Sequence, residues 1–384
     1  MMSLLRLVRS SFRRAPSRPL CFPTSGWDTV PVAEILDEER YDEFKKGQYY
    51  PVDIGDVFAS KYQVVGKLGF GVTSTAWLAR DLEHGPSHKS SHPGYAHVRT
   101  ALDLFTIPRN GGDHHCLVQQ PMWESFRHLL YRNPTHRFTV DLLKAGLMQI
   151  FLALDYLHTE CKLVHTDIKS DNILQEIADS SILEAFTEAE LDRPSPRKSV
   201  NSVPVYASRR FELPKVFGRA VLSDFGSAVR GDEKQDHDAQ PNVYRSPEVM
   251  LMTEWSYPVD VWNVGVMIWD LFEGKHMFNG NDPDGKGYST RAHLAEVIGL
   301  IGPPPLDMLN RGKRSHEFFT VDGKWKQDIA IPQTGGLEAS EQFLEGRNKE
   351  MFLDFMRGIL QWRPEDRKRA RELLKDPWLN EQIE

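Results

Sequence analysis

Apolar and polar positions alternate along the chain with two different periods. From Lys61 to Asp81 the text KYQVVGKLGFGVTSTAWLARD sets Tyr62, Val64, Thr75 and Trp77 at period two around Gly69-Phe70-Gly71, which predicts a hairpin turning on glycine. Leu102 to Ile107 and Cys116 to Val118 predict further short strands, joined by the turn Pro108-Arg109-Asn110-Gly111-Gly112. After Pro121 the period lengthens. Leu143, Leu147, Ile150, Leu154 and Leu157 form one apolar stripe, which predicts a long helix from Val140 to His158. Helical patterns return at Val259–Phe272, Arg291–Ile301, Glu350–Leu360 and Ala370–Leu374. Between them, residues 175–217 read as a polar insert of little periodicity, with RPSPRKSVNS at its centre. Strands early and helices late predict a segregated α+β architecture with a sheet lobe and a helical lobe.

Composition and charge narrow this picture. With 384 residues, 40% apolar and 26% charged, the chain has globular values and room for two domains, which excludes collagen and wholesale disorder. The net charge is −7, but the first 26 residues hold five arginines and no acid, so the remainder carries −12. A body that acidic suits a basic partner better than nucleic acid. Cys21, Cys116 and Cys161 stand far apart, with no CxxC pair, so no disulfide framework or zinc ribbon is indicated. The apolar stretch Val259 to Phe272 is broken by Asp260, Asn263 and Asp270, too short and polar to span a bilayer. At the N-terminus Leu4, Leu5, Val8 and Phe12 share one side of a helical wheel and Arg6, Arg9 and Arg13 the other. That is similar to a mitochondrial transit peptide; a disordered basic tail is the alternative, and either way the fold is expected to begin near residue 35. His84, His88, His92 and His97, followed by His114 and His115, suggest a metal site, but Gly85-Pro86 and Pro93-Gly94 break any helix through them. A solvated polar loop is the preferred reading.

The chemistry sits in an ordered set of short motifs. LVHTDIKSDNIL, residues 163–174, brings Asp167, Lys169 and Asn172 into one loop. Leu222-Ser223-Asp224-Phe225-Gly226 adds a second carboxylate at a strand end. Tyr244 to Glu248, Asp260 to Gly265 and Arg363 to Arg367 follow, ahead of Leu373 to Trp378. From about Tyr62 to Leu379 this set resembles the eukaryotic protein kinases. HTDIK, Ser74 in the place of a third glycine, the lead-in YDEFKKGQYYPVDIGDVFASKY and the late FFTVDGKWK resemble the SR-protein kinases.

The resemblance implies a bilobal kinase fold: a basic segment 1–35, a truncated β-rich N-lobe 36–119, and an α-helical C-lobe 120–384 containing the 175–217 insert. It implies ATP and Mg²⁺ as cofactors and a basic, Arg/Ser-rich protein as substrate, such as a splicing factor. It also implies a monomer of cytoplasm and nucleus without nucleic-acid or membrane partners. In these roles Asp167 accepts the substrate hydroxyl proton and Lys169 balances γ-phosphate charge, while Asn172 and Asp224 ligate Mg²⁺. Gly69, Phe70, Gly71 and Ser74 form the loop over the phosphates. Leu68, Val72 and Ala76 cover one face of adenine and Leu174 the other; Gln120 and Met122 supply hinge hydrogen bonds, with Gln119 as gatekeeper. His165, Asp260 and the Glu248–Arg367 pair read as structural. For Asp167, Asn172 and Asp224 the competing reading is loop-capping Asx residues.

One stretch departs from the family. Kinases of this type carry a strand lysine and a helix glutamate after the glycine loop. Here Leu82 to Val98, LEHGPSHKSSHPGYAHV, offers 17 residues in which no strand or amphipathic helix can be drawn. Lys89, between His and Ser in a Pro/Gly-rich loop, is a poor replacement. Two readings therefore stand: an ATP-dependent Ser/Thr kinase of the SR-protein type, and a catalytically impaired, pseudokinase-like adaptor. The first is favoured by intact Asp167, Lys169, Asn172 and Asp224; the second by the short segment.

Overall fold

A computed structural model of the chain describes residues 17–83, 90–109 and 112–381. Its contacts divide these into two units. The first holds the described residues up to Glu83, with 101–121 and 177–217; the second holds 90–100, 122–176 and 218–381.

The first unit is rich in β-structure. The strand Tyr62–Phe70 pairs antiparallel with Thr75–Asp81 on one side and with Val57–Phe58 on the other. Ala101–Ile107 and His114–Gln119 form a separate two-stranded sheet. Tyr62 ties the two together: its ring stacks on Phe105 at 5.9 Å and its hydroxyl donates to Asp103 at 2.7 Å. Two further segments complete the unit. The helix Ser181–Asp192 buries Ile182 and Phe186, and a hairpin joins Arg197–Val200 to Val203–Tyr206. Phe186 lies against Gly66, where a Cβ would meet its ring at 2.8 Å. Buried Glu190 accepts from the Ser195 backbone at 2.8 Å and pairs with Arg209 at 3.1 Å.

Two sequence expectations are corrected here. Residues 177–217 belong with the sheet unit, not the helical lobe, and they are structured. The buried apolar signal of the helix is one i,i+4 pair, Ile182 and Phe186, too brief to register as periodicity. The fold also begins earlier than residue 35. Gln63 exchanges two 2.8 Å hydrogen bonds with the Leu20 backbone, and the Val30 amide donates to the Arg197 carbonyl at 3.1 Å. The arginine-bearing stripe from Leu4 to Arg13 lies outside the described residues.

The second unit is mainly helical. Thr139 caps the helix Val140–Tyr156 by accepting from the Leu142 amide at 3.3 Å. Its stripe Leu143, Leu147, Ile150 and Leu154 is buried in one core with most of the helix Pro258–Phe272. Thr290–Ile301, Gly346–Ile359 and Ala370–Leu373 agree with the periodicity to within a few residues. One three-stranded sheet runs in the order Phe217–Leu222, Ile173–Ile177, Met122–Ser125. Among the described residues no helix is long and apolar enough to cross a membrane.

Residues 90–100 also belong to this unit, although the sequence reading gives them to the N-lobe. A 3-10 turn, Pro93–His97, lies on the long helix. A Cβ at Gly94 would come within 1.8 Å of the Leu152 carbonyl oxygen, so only glycine allows the approach. His92 pairs with Asp155 at 3.5 Å. The histidine series is thereby split: His92 and His97 lie in the helical unit, His114 and His115 in the sheet unit, and His84 and His88 outside the described residues. The described residues contain no group of three or more metal-ligating side chains.

Candidate active site

In the helical unit one loop and one strand end are locked together. The short strand Leu163–Val164 pairs antiparallel with Val229–Arg230, which holds the loop beside the stretch that follows Gly226. Asp260, in the first turn of Pro258–Phe272, accepts the His165 and Thr166 amides at 2.8 Å each. Thr166 sits at φ +68°, a strained position for a β-branched residue that these bonds fix. The His165 ring nitrogen is 3.0 Å from the Ser223 carbonyl, and its ring meets Phe225 edge-on at 4.9 Å. His165 is therefore a buried packing residue, as the sequence suggests.

Asp167 is the centre of the loop. Lys169 Nζ donates to both its carboxylate oxygens at 2.8 Å. The Asn172 amide nitrogen donates to its carbonyl at 2.8 Å and to its carboxylate at 2.9 Å. The Ser223 amide in turn donates to the Asn172 carbonyl at 2.9 Å. Asp224 follows at φ +66°, solvent-exposed, with Oδ1 accepting from the Gly226 amide at 3.3 Å. That Asp224 contact is an Asx turn, and the Asn172 side chain bonds the backbone carbonyl and the carboxylate of Asp167 within its own loop, so both residues also shape local backbone. Asn172 donates through nitrogen, which leaves its amide oxygen outside these bonds; with the Asp224 carboxylate this is a hard-oxygen pair suited to Mg²⁺. Leu174, on the next strand, is partly buried.

The glycine turn belongs to the sheet unit. Gly69 pairs with Ala76 and Phe70 with Thr75, and the Gly71 amide closes the turn on the Ser74 carbonyl at 2.8 Å. Val72, Ser74 and Ala76 are exposed, and Leu68 is partly so. Two features were not legible in advance. The Tyr49 hydroxyl donates to the Gly71 carbonyl at 2.5 Å, and Phe70 lies under Arg40 at 5.0 Å. Lys67, the lysine nearest the turn, is fully buried between Glu38, Asp37 at 3.1 Å and the Tyr206 carbonyl at 2.9 Å. Gln119 and Gln120 fall in the sheet unit, Met122 in the helical one, where it pairs with Glu176. Lys89 lies outside the described residues.

Comparison with known proteins agrees with this geometry. A family model described as "Protein kinase domain" matches residues 213–379, and one described as "Protein tyrosine and serine/threonine kinase" matches 110–288. A serine/threonine protein kinase of Aspergillus fumigatus is 42% identical, covering 96% of this chain and 97% of its own. The chain belongs to the serine/threonine protein kinases. Within them it is of the SR-protein kinase type. The serine/threonine-protein kinase SRPK of Physarum polycephalum is 28% identical over 89% of this chain and 91% of that one, and SRSF protein kinase 3 of Mus musculus 23% over 90% and 91%. A crystal structure of a kinase domain superposes with a TM-score of 0.63 at 20% identity, covering 87% of this chain and all of that one, which shows the kinase fold. The Aspergillus alignment spans 395 positions, more than the 384 residues here, so it opens gaps in this chain.

Other kinase features are in place. Glu248 and Arg367, both fully buried, form a bidentate pair at 2.7 and 3.1 Å. The loop after Gly226 offers Ser227, Tyr244 and Ser246 as hydroxyls; Ser246 and Tyr244 are buried, the latter bonded to Asp270. Several acids in and beyond this loop are paired with basic side chains. Asp236 pairs with Lys313 at 2.5 Å and Asp238 with Arg245 at 3.4 Å. Asp282 is held by Arg291 at 2.7 Å, and that hydrogen bond pulls its pKa below the ordinary carboxylate range.

Proposed function

We propose that the chain binds Mg·ATP at Asn172 and Asp224 and transfers the γ-phosphate to Ser or Thr of a basic, Arg/Ser-rich protein. The observation that carries this reading is the Asp167 carboxylate, bridged by Lys169 and Asn172 one hydrogen bond away from the strand that presents exposed Asp224. ATP with Mg²⁺ supplies the phosphoryl group and the leaving group. Asp167 takes the proton of the incoming hydroxyl and aims its oxygen. Lys169, already 2.8 Å from that carboxylate, balances charge beside it. Asn172 and Asp224 hold the metal with oxygen atoms. The resemblance assigns Gly69, Phe70, Gly71 and Ser74 to the phosphates, Leu68, Val72, Ala76 and Leu174 to the base, and Gln120 and Met122 to its edge. The basic substrate class is supported by the −12 carried beyond the first 26 residues. The resemblance is our ground for proposing cytoplasm and nucleus; import of a fusion of residues 1–35 into mitochondria would reverse that.

A second reading, an impaired adaptor, is favoured by one observation. Lys67 is sealed among Asp37, Glu38 and Tyr206, so the lysine nearest the glycine turn is not available for phosphates. A peptide assay decides. Phosphate incorporation into an Arg-Ser repeat should exceed that into an acidic peptide and fall as salt rises. Equal incorporation into both peptides refutes the substrate class, and incorporation at background into both leaves the adaptor.

A further inference from the structure

Three successive residues of the docked segment 90–100 run alongside the strand Phe217–Leu222, which ends at Ser223 and Asp224. His97 Nδ1 lies 3.0 Å from the Ala220 carbonyl, Val98 bridges Leu222 in parallel, and the Arg99 amide donates to the Leu222 carbonyl at 2.8 Å. The Arg99 guanidinium then reaches Ser223, with Nη1 3.4 Å from its hydroxyl. Ser223 is the joint of the site: its amide bonds Asn172 and its carbonyl faces His165. A fixed cation thus stands one residue from Asp224 and next to the loop of Asp167.

We propose that Arg99 is a phosphate-binding residue of this chain, donating its guanidinium to the polyphosphate of a nucleotide held at Asn172 and Asp224. The inference rests on the Mg·ATP reading above. A guanidinium presents several donors in a planar fork that fits phosphate oxygens, and it keeps its charge when partly removed from water. Burial does draw its pKa below the usual arginine value, yet arginine stays protonated under any physiological condition. Lys67 is committed elsewhere. Arg99 is the cation whose backbone is registered directly on the strand that delivers Asp224.

The test uses the full chain and Kd values for Mg·ATP, Mg·ADP and adenosine by calorimetry. Arg99→Met keeps the apolar stem and should weaken both nucleotides about tenfold or more while leaving adenosine unchanged, the scale of one charge-assisted hydrogen bond. Arg99→Lys should recover part of the loss. Unchanged nucleotide affinity in Arg99→Met, or an equal loss for adenosine, overturns the assignment. Asp224→Ala separates the two claims. If it loses Mg·ATP while Arg99→Met keeps it, only the Arg99 proposal fails; if it binds Mg·ATP like the unaltered chain, the Mg·ATP reading fails and this inference with it.

Discussion

The helical unit and the sheet unit reach stability by different routes. In the helical unit the helices Val140–Tyr156, Pro258–Phe272 and Gly346–Ile359 share one apolar core, with Trp262, Trp269 and Trp378 almost wholly enclosed. Its fully buried ion pair Glu248–Arg367 has two further carbonyl acceptors for the guanidinium, Pro258 and Gln361, both at 2.8 Å. The sheet unit is assembled from segments far apart in sequence: residues 17–58, two hairpins, and the insert 177–217. Polar groups do much of its joining. Lys67 draws in Asp37, Glu38 and Tyr206, and Glu190 draws in Ser195 and Arg209. The outer face of the hairpin Ala101–Ile107/His114–Gln119 leaves Leu102, Leu104 and Leu117 exposed. A kinase with a lysine strand and a following helix has more to lay over its sheet; this chain's sequence has no room for them.

That contrast can be broken first in the helical unit. Glu248→Ala strands the Arg367 charge in the core and should cost about 3–5 kcal/mol in denaturant unfolding. A loss under about 1 kcal/mol would mean that water enters and the core is less continuous than described. Phe186→Ala sharpens the other side. It removes the ring that covers Gly66 and should destabilise the sheet unit by about 3 kcal/mol. Two unfolding transitions are expected, of which only the one assigned to the sheet unit moves; a shift of both together would show that the insert supports the helical core as well.

The smallest effect concerns the docked segment. Burial lowers the pKa of His97 from its ordinary 6.5, so the docked segment favours the neutral ring. The undocked segment takes up a proton as pH falls below about 6.5, while the docked one resists until its own lower pKa. Docking should therefore hold at full strength above 6.5 and weaken below it. Amide exchange at Val98 and Arg99 should quicken between pH 7 and 5, and His97→Gln should flatten that dependence. Equal pH dependence in both proteins would remove His97 from the account.

The helical unit was largely legible because its signals are long. Five-residue stripes and motifs such as HTDIKSDN or LSDFG are local, and of the residues they name Asp167, Lys169 and Asn172 do converge through hydrogen bonds. Asp260 beneath His165 and the Glu248–Arg367 pair were also foreseen. The two hairpins of the sheet unit were legible as well, but their assembly with the other segments was not, because its joints are contacts between single residues distant in sequence. Nothing local in Lys67 announces Glu38, and nothing in Phe186 announces Gly66. Gly94 is the intermediate case: a glycine beside proline reads as a turn, while its real constraint is the Leu152 carbonyl.

The helical unit keeps the groups proposed above for phosphotransfer, while no lysine among the described residues stands ready to complete them. Turnover tests this claim most directly, compared between the chain as it stands and one with a strand–Lys–helix–Glu segment placed between Glu83 and His92. The expected result is slow but measurable transfer by the first and a gain of about 10²–10³ in the second, the scale of one preorganised charge, abolished by Asp167→Ala. Ordinary kinase turnover by the unaltered 384-residue chain, lost on Asp167→Ala, would contradict the claim.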